Sequence, residues 1–188
     1  VCVPRDAMHA HDFTEIVIVD SGRGVHHYEG AEHGIQTGDV FVILPHHAHT
    51  ITEPEQLRIS NVLFYDDGSI PLLAELAQLP AYRALLTLEP RLRQQAEVGG
   101  RMHLGRDRLG GVLSVVDQLG NALHSSEASS SAMATLCFLQ LVKELCEAYA
   151  AEPPGMGAPL MQVGRAIAYI EDHFFEPIRT ADLAELVN

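Results

Sequence analysis

Eight of the chain's eleven histidines, at positions 9, 11, 26, 27, 33, 46, 47 and 49, fall within 41 residues. Even scatter would put about two there, so the clustering calls for a chemical reason. Imidazole nitrogens bind transition metals and hydrogen-bond polar ligands, and either use needs several of them aimed at one point. The run His9-Ala10-His11-Asp12-Phe13-Thr14-Glu15 offers such an arrangement. Residues two apart on an extended chain share a face, so His9, His11 and Glu15 can all point inward. Two imidazoles and a carboxylate on one face can hold a divalent ion such as zinc, nickel or iron, with a fourth ligand from another strand. Residues 38–45, Gly-Asp-Val-Phe-Val-Ile-Leu-Pro, lead directly into His46, His47 and His49, where that fourth ligand can be sought.

These side chains need strands to carry them. Residues 15–19 are rich in β-branched types and run into Ser21-Gly22-Arg23-Gly24, a turn signal. Residues 25–28 end at Gly30, residues 40–44 lie between Gly38-Asp39 and Pro45, and residues 57–65 close at Asp66-Asp67-Gly68. Short strands between glycine turns predict a small antiparallel barrel or sandwich over 1–70.

The pattern then turns helical. Residues 71–79 and 81–88 read as two short helices broken at Pro80. Leu109, Val112, Leu113, Val116, Leu119 and Leu123 follow helical spacing, and a Ser-rich break at 125–131 precedes a second long helix. That helix carries Met133, Leu136, Cys137, Leu141 and Leu145, apolar on more than one face, which predicts a homodimer contact beyond simple packing on the barrel. The Pro- and Gly-rich stretch at 151–160 reads as a linker. Val163, Ile167, Ile170 and Phe174 mark an amphipathic helix stopped by Pro177, and Thr180 is a candidate N-cap for a helix through Leu183 and Leu186. The expected class is α+β, divided into a barrel at 1–70, a helical region at 71–150, a linker and a C-terminal segment at 161–188.

Composition narrows the function. A formal charge of -13 makes this chain a poor DNA binder, because phosphate neutralisation needs Lys and Arg. Cys2, Cys137 and Cys146 are odd in number and lack C-x-x-C spacing, which argues against a disulfide framework or cysteine zinc site. No apolar run approaches the ~20 residues of a membrane span, and no signal segment is seen. A cytoplasmic protein without membrane contact is expected. An opening at Val1 and an end inside a helical pattern are expected of a fragment.

The run His-Ala-His-Asp-Phe-Thr-Glu at 9–15, followed by Gly-Asp-Val-Phe-Val-Ile-Leu-Pro-His-His-Ala-His at 38–49, resembles the two cupin motifs. The resemblance implies a jelly-roll barrel of six to eight strands with His9, His11, Glu15 and His49 as metal ligands. It departs from the pattern at His46 and His47, where glycine commonly follows the proline. His26, His27, His33, His46 and His47 are then rim or turn residues, and His103, His124 and His173 helix-surface residues. Inward histidines can also hydrogen-bond sugar hydroxyls with no metal present.

Residues 163–188 resemble the opening of the AraC-type DNA-binding domain, through Tyr169-Ile170-Glu171-Asp172-His173-Phe174 and Asp182-Leu183-Ala184. In that family the second helix is the first half of a helix-turn-helix, and the reading helix follows it. No DNA-reading residues are therefore expected here. Residues 9–65, with Ile59-Ser60-Asn61-Val62-Leu63-Phe64, are similar to the sensor domains of the L-rhamnose regulators of that family. This implies a ligand-gated activator of sugar use, not an enzyme, contacting a small sugar near His9, His11, Glu15, His27 and His49. The linker would pass the signal, and operator DNA and RNA polymerase would be met through the missing C-terminal part. The competing reading is a cupin metalloenzyme, a sugar isomerase or dioxygenase, since three His and one Glu leave metal positions open.

Overall fold

A computed structural model describes residues 7–92, 102–151 and 157–187. Cys2, the middle of the expected linker and Asn188 lie outside the described residues. Strands β1 (Thr14–Tyr28), β2 (Ala31–Gln36), β3 (Asp39–Ile43), β4 (His49–Phe64) and β5 (Met102–His103) form one antiparallel sheet. Where the cupin resemblance implies six to eight strands, five are present among the described residues, curved as a half-barrel. Helices follow, so the α+β class holds.

β1 organises the sheet. Its first half pairs with β3 on one side and β4 on the other, and its second half pairs with β2 and again β4. The residues at 21–24, predicted as a turn, are instead bulged strand, with register shifts between Val19 and Val25. Gly22 makes this workable: its φ is +81°, and a Cβ there would sit 2.4 Å from the Gln56 backbone. The bulges bend the strand and exchange the faces its side chains meet. Before them Glu15, Val17 and Val19 point into the concave side; after them Gly24, His26 and Tyr28 do.

Both faces are covered over most of β1. Ile16, Ile18, Val40, Val42, Val62 and Phe64 meet the helices, while Val17, Val19, Phe41, Ile43, Leu57 and Tyr28 form the inner cluster. This explains the continuous β-branched run at 15–19: a strand sandwiched between two apolar layers cannot alternate.

The helical layer begins with α1 (Leu73–Ala77). A continuous helical run follows, made of α2 (Pro80–Tyr82), a π-helical turn (Arg83–Leu88) and α3 (Glu89–Leu92). Pro80 therefore starts a helix at its first position, where its missing N–H costs nothing. α4 (Arg106–His124) and α5 (Ser130–Ala150) are the two long helices predicted, and Cys137 and Cys146 are buried free thiols on α5. Leu123, Met133 and Leu136 stay exposed. His103, expected on a helix surface, lies in β5 and its Nδ1 is 2.9 Å from Asp39.

α6 (Gly157–His173) packs back on this layer. A Cβ at Gly164 would lie 2.6 Å from the Pro80 carbonyl oxygen, and the Arg83 guanidinium pairs with Glu171. α7 (Thr180–Leu186) is capped from Arg179 and not from Thr180: the Asp182 carboxylate accepts from the Arg179 backbone N–H at 3.4 Å. An acid at the third helical position does this better than a hydroxyl already inside the first turn. No described helix is long and apolar enough to cross a membrane.

The bend at Gly22 is open to direct test. Gly22→Ala forces an L side chain into a left-handed backbone and against Gln56, and should lower unfolding free energy by about 2–4 kcal/mol in urea titrations. A loss under about 0.5 kcal/mol would mean that the bulge relaxes freely.

Candidate metal and ligand site

The concave face gathers its polar groups at one corner, and strand register says which. Glu15 stands between Ile43 on β3 and Leu63 on β4, with its side chain on the inner face. His49 begins β4 opposite Tyr28. The third element is the segment before β1. His9 and His49 exchange two backbone hydrogen bonds, at 3.1 and 2.9 Å, and the His46 N–H donates to the His11 carbonyl at 2.7 Å. His46 has φ +67°, which turns the chain after Pro45 so that residues 46–49 can lie along residues 9–11.

His11, Glu15 and His49 converge there, with one ligand atom from each within 4.8 Å of the others. The His11 Nε2 is 3.0 Å and the His49 Nε2 3.5 Å from the same Glu15 oxygen, Oε2. All three side chains are nearly sealed from solvent, at 9, 7 and 6 % exposure for His11, Glu15 and His49. The far side of each imidazole is pinned. The His11 Nδ1 lies 2.8 Å from the Phe13 carbonyl oxygen, and the His49 Nδ1 lies 3.3 Å from that of His47. A carbonyl only accepts, so both Nδ1 atoms carry hydrogen. Each Nε2 then faces a carboxylate with a bare lone pair, unless it too is protonated or a cation sits between them. The donor set, two imidazoles and a carboxylate aimed at one point, therefore fits a divalent transition metal.

Burial raises the Glu15 pKa; where Nε2 of His49, and after it of His11, carries a proton, its hydrogen bond and charge outweigh that and hold the carboxyl below its usual range.

The other predicted residues divide. His9 lies beside the cluster but outside it. Its ring centre is 4.3 Å from that of His49 and 6.4 Å from that of His11, its Nδ1 is 3.2 Å from the Ala7 oxygen, and the residue is exposed. His27 is not brought to the corner. It points to the opposite face from His26, with Nε2 2.7 Å from the Thr52 hydroxyl and Nδ1 3.5 Å from Glu32. His46 and His47 occupy the turn before β4, and His47 is 3.5 Å from Glu29.

His26 is the inner-face residue that sequence reasoning missed. It is fully buried, stacked on Phe41 at 4.4 Å and 6.2 Å from the His49 ring. A turn at 21–24 would have left it at the rim; the bulged strand turns it inward. Gly22 and Gly24 were the local sign, but such a pair fits a turn as well as a bulge.

The sequence profile of the AraC-like ligand binding domain family matches residues 2–97. The chain belongs to that family. The AraC-like chain is 28% identical over 185 residues to the HTH-type transcriptional activator RhaS of Citrobacter koseri, covering 97% of this chain and 62% of that protein. It is 28% identical over 180 residues to the RhaS of Enterobacter sp. (strain 638), covering 95% and 60%. The chain thus spans about three fifths of the length of these relatives. Among solved structures it is similar to the AraC-like transcriptional activator CuxR, at 15% identity and TM-score 0.43, covering 94% of this chain and 57% of that one.

The ionised Glu15 gives the AraC-like domain a defined acid response. A carboxyl held below its ordinary pKa of 4.5 adds stability that is complete above that value. That stability is lost as pH falls through the lower folded value. Urea titrations in metal-free buffer should therefore show wild type and Glu15→Gln converging in unfolding free energy between about pH 6 and about pH 3. A gap that stays constant with pH would show that Glu15 is not held ionised by its neighbours.

Proposed function

We propose that this chain is the ligand-sensing and dimerising part of a cytoplasmic transcription activator of sugar use. It would hold a divalent transition metal, zinc, nickel or iron, at His11, Glu15 and His49, with His9 as the candidate fourth ligand. The effector class is a small sugar, with L-rhamnose the first to try. One observation carries the reading: two imidazoles with pinned Nδ1 atoms aim at one buried carboxylate on the concave face of an AraC-like domain. When bound, such an ion supplies concentrated positive charge that draws ligand oxygen atoms. The chain's own part is to keep Nε2 of both histidines facing Glu15 and to limit water at the corner. His27, on the outer face, is left out of the proposed contacts.

The similarity to RhaS activators favours recognition over turnover, so the site is read as a sensor and not as an enzyme's. Two copies would meet through the exposed Leu123, Met133 and Leu136 of α4 and α5, the apolar excess noted in the sequence. Operator DNA and RNA polymerase would be engaged by the remaining part of the activator.

The route from ligand to reader is short. Ile16 and Ile18, on either side of Val17, belong to the far-face core that also holds Ala84 and Leu85 of the helical run, which touches the sheet at β3. That run touches α6 through Pro80 with Gly164 and Arg83 with Glu171. α6 is the helix whose sequence resembles the start of the DNA-binding region. A ligand shifts such a contact only by its difference in affinity between two arrangements.

The test pairs metal content with ligand affinity. Protein purified without added metal should carry one equivalent by elemental analysis, lost in a His11→Ala, Glu15→Ala double variant. Calorimetry with L-rhamnose, L-arabinose, L-fucose and L-lyxose should give binding to at least one, weakened in that variant. Metal-free parent protein that takes up none would overturn the metal, and no heat from any of the four sugars would overturn the sensor.

A further inference from the structure

The sequence signature Ser60-Asn61-Val62-Leu63 has no role in the metal cluster, and strand register gives it one. On β4, Val62 and Phe64 are buried against the helices, so Asn61 and Leu63 alternate onto the concave face. Leu63 pairs directly with Glu15, and Asn61 pairs with Val17. The rest of that surface is sealed: Glu15 is 5 % exposed, Val17 1 %, Phe41 0 % and Ile43 2 %. Leu63, in contrast, is 53 % exposed, and Asn61 is exposed as well. Beside the His11, Glu15 and His49 corner, the open ground on these rows of the inner face is therefore this strip of β4.

Its chemistry is specific. A wall of rings bounds it: Phe13 stacks on His11 at 4.0 Å, and Tyr65 meets Phe13 edge-on at 6.3 Å. The Tyr65 hydroxyl is committed to Asp12, to which it donates at 3.2 Å, so Tyr65 offers its ring and not its oxygen. Leu63 offers an apolar surface next to a carboxylate. The Asn61 carboxamide offers a donor and an acceptor side by side, which matches two adjacent hydroxyls. Asn61 is the diagonal neighbour of Glu15, about 7–8 Å away. A six-membered sugar ring with its hydroxyls bridges such a span.

We infer that Asn61 and Leu63 are the specificity-determining residues of the effector site, and that the effector is a cyclic polyol. It lies with a C–H face on Leu63, one end at the His11, Glu15 and His49 corner, and a vicinal hydroxyl pair on Asn61. The inference rests on the sensor reading and adds to it the residues that read the far end of the ligand. An Asn at this position explains how a metal corner, which accepts any oxygen ligand, could discriminate among sugars: a site built to pair two hydroxyls rejects a ligand that lacks them.

The test compares the full chain with its Asn61→Ala and Asn61→Asp variants, using L-rhamnose in calorimetry and metal content measured on the same samples. Wild type should bind L-rhamnose or another sugar of the panel. Asn61→Ala should bind it about tenfold more weakly or worse, with metal content unchanged. Asn61→Asp, which keeps the size and the acceptor but loses the donor, should fall between, and it serves in place of the alanine variant should that fail to fold. Equal affinity in wild type and variants would overturn the assignment of Asn61 and leave the sensor standing. Affinity lost only in step with metal would also overturn it, making Asn61 a support of the cluster. A wild type that binds no sugar overturns the sensor reading and this inference together.

Discussion

Two hydrogen bonds to backbone carbonyls, one from the Nδ1 of His11 to Phe13 and one from the Nδ1 of His49 to His47, set the terms for the whole concave face. Each consumes the single proton of a neutral imidazole and turns the remaining lone pair toward Glu15. Two lone pairs and a carboxylate at 3.0–3.5 Å repel one another unless positive charge joins them. Burial of all three sharpens the demand, because little water is available to screen it. A corner of this kind favours a proton or a metal ion between its three side chains.

Much of the surrounding architecture serves to keep that corner assembled. The His9 and His49 backbone pair, with the left-handed turn at His46, fastens the segment before β1 to the start of β4. The bulges around Gly22 let a single strand span the sheet, pairing with β3 near Glu15 and with β2 near His26. Even so, β1 remains thin in one sense. The residues flanking Glu15 and Val17 along the chain point to the opposite side, into the layer that also packs Ala84, Leu85 and Leu86. The candidate site on one face and helix packing on the other are thus one residue apart along β1.

How much of this could be read from the residues differs by element. The His-x-His-x-x-x-Glu run pointed to His11 and Glu15, since a period of two sets them on one face; residues 11–13 nevertheless precede β1, and His9 stays outside the cluster. Placing His49 beside them needed the cupin resemblance, because no local rule brings residues 34 positions apart together. The long helices α4 and α5 were legible from their apolar spacing. The bend at Gly22 was not, because Ser-Gly-Arg-Gly is as good a turn as it is a bulge, and only pairing with β4 decides between them. His26 and His27 exchanged roles on that one point. β2 and β5 were weak for a different reason: Ala31-Glu32-His33-Gly34 lacks strand-forming types, and β5 has two residues, so partners and not propensity make them strands. Nothing local in the sequence put Asn61 near the cluster; register sets it diagonally from Glu15.

The central claim, that carbonyl-pinned Nδ1 atoms leave two Nε2 atoms aimed at Glu15 and in need of a cation, is tested most directly by the ring nitrogens themselves. Nitrogen-15 NMR of uniformly labelled protein at neutral pH, before and after one equivalent of zinc, resolves the protonation of each imidazole nitrogen. The account predicts that His11 and His49 keep their Nδ1 hydrogens throughout, and that their two Nε2 resonances alone move to metal-bound positions. Nδ1 atoms that prove unprotonated, or zinc that leaves both Nε2 signals in place, would contradict it.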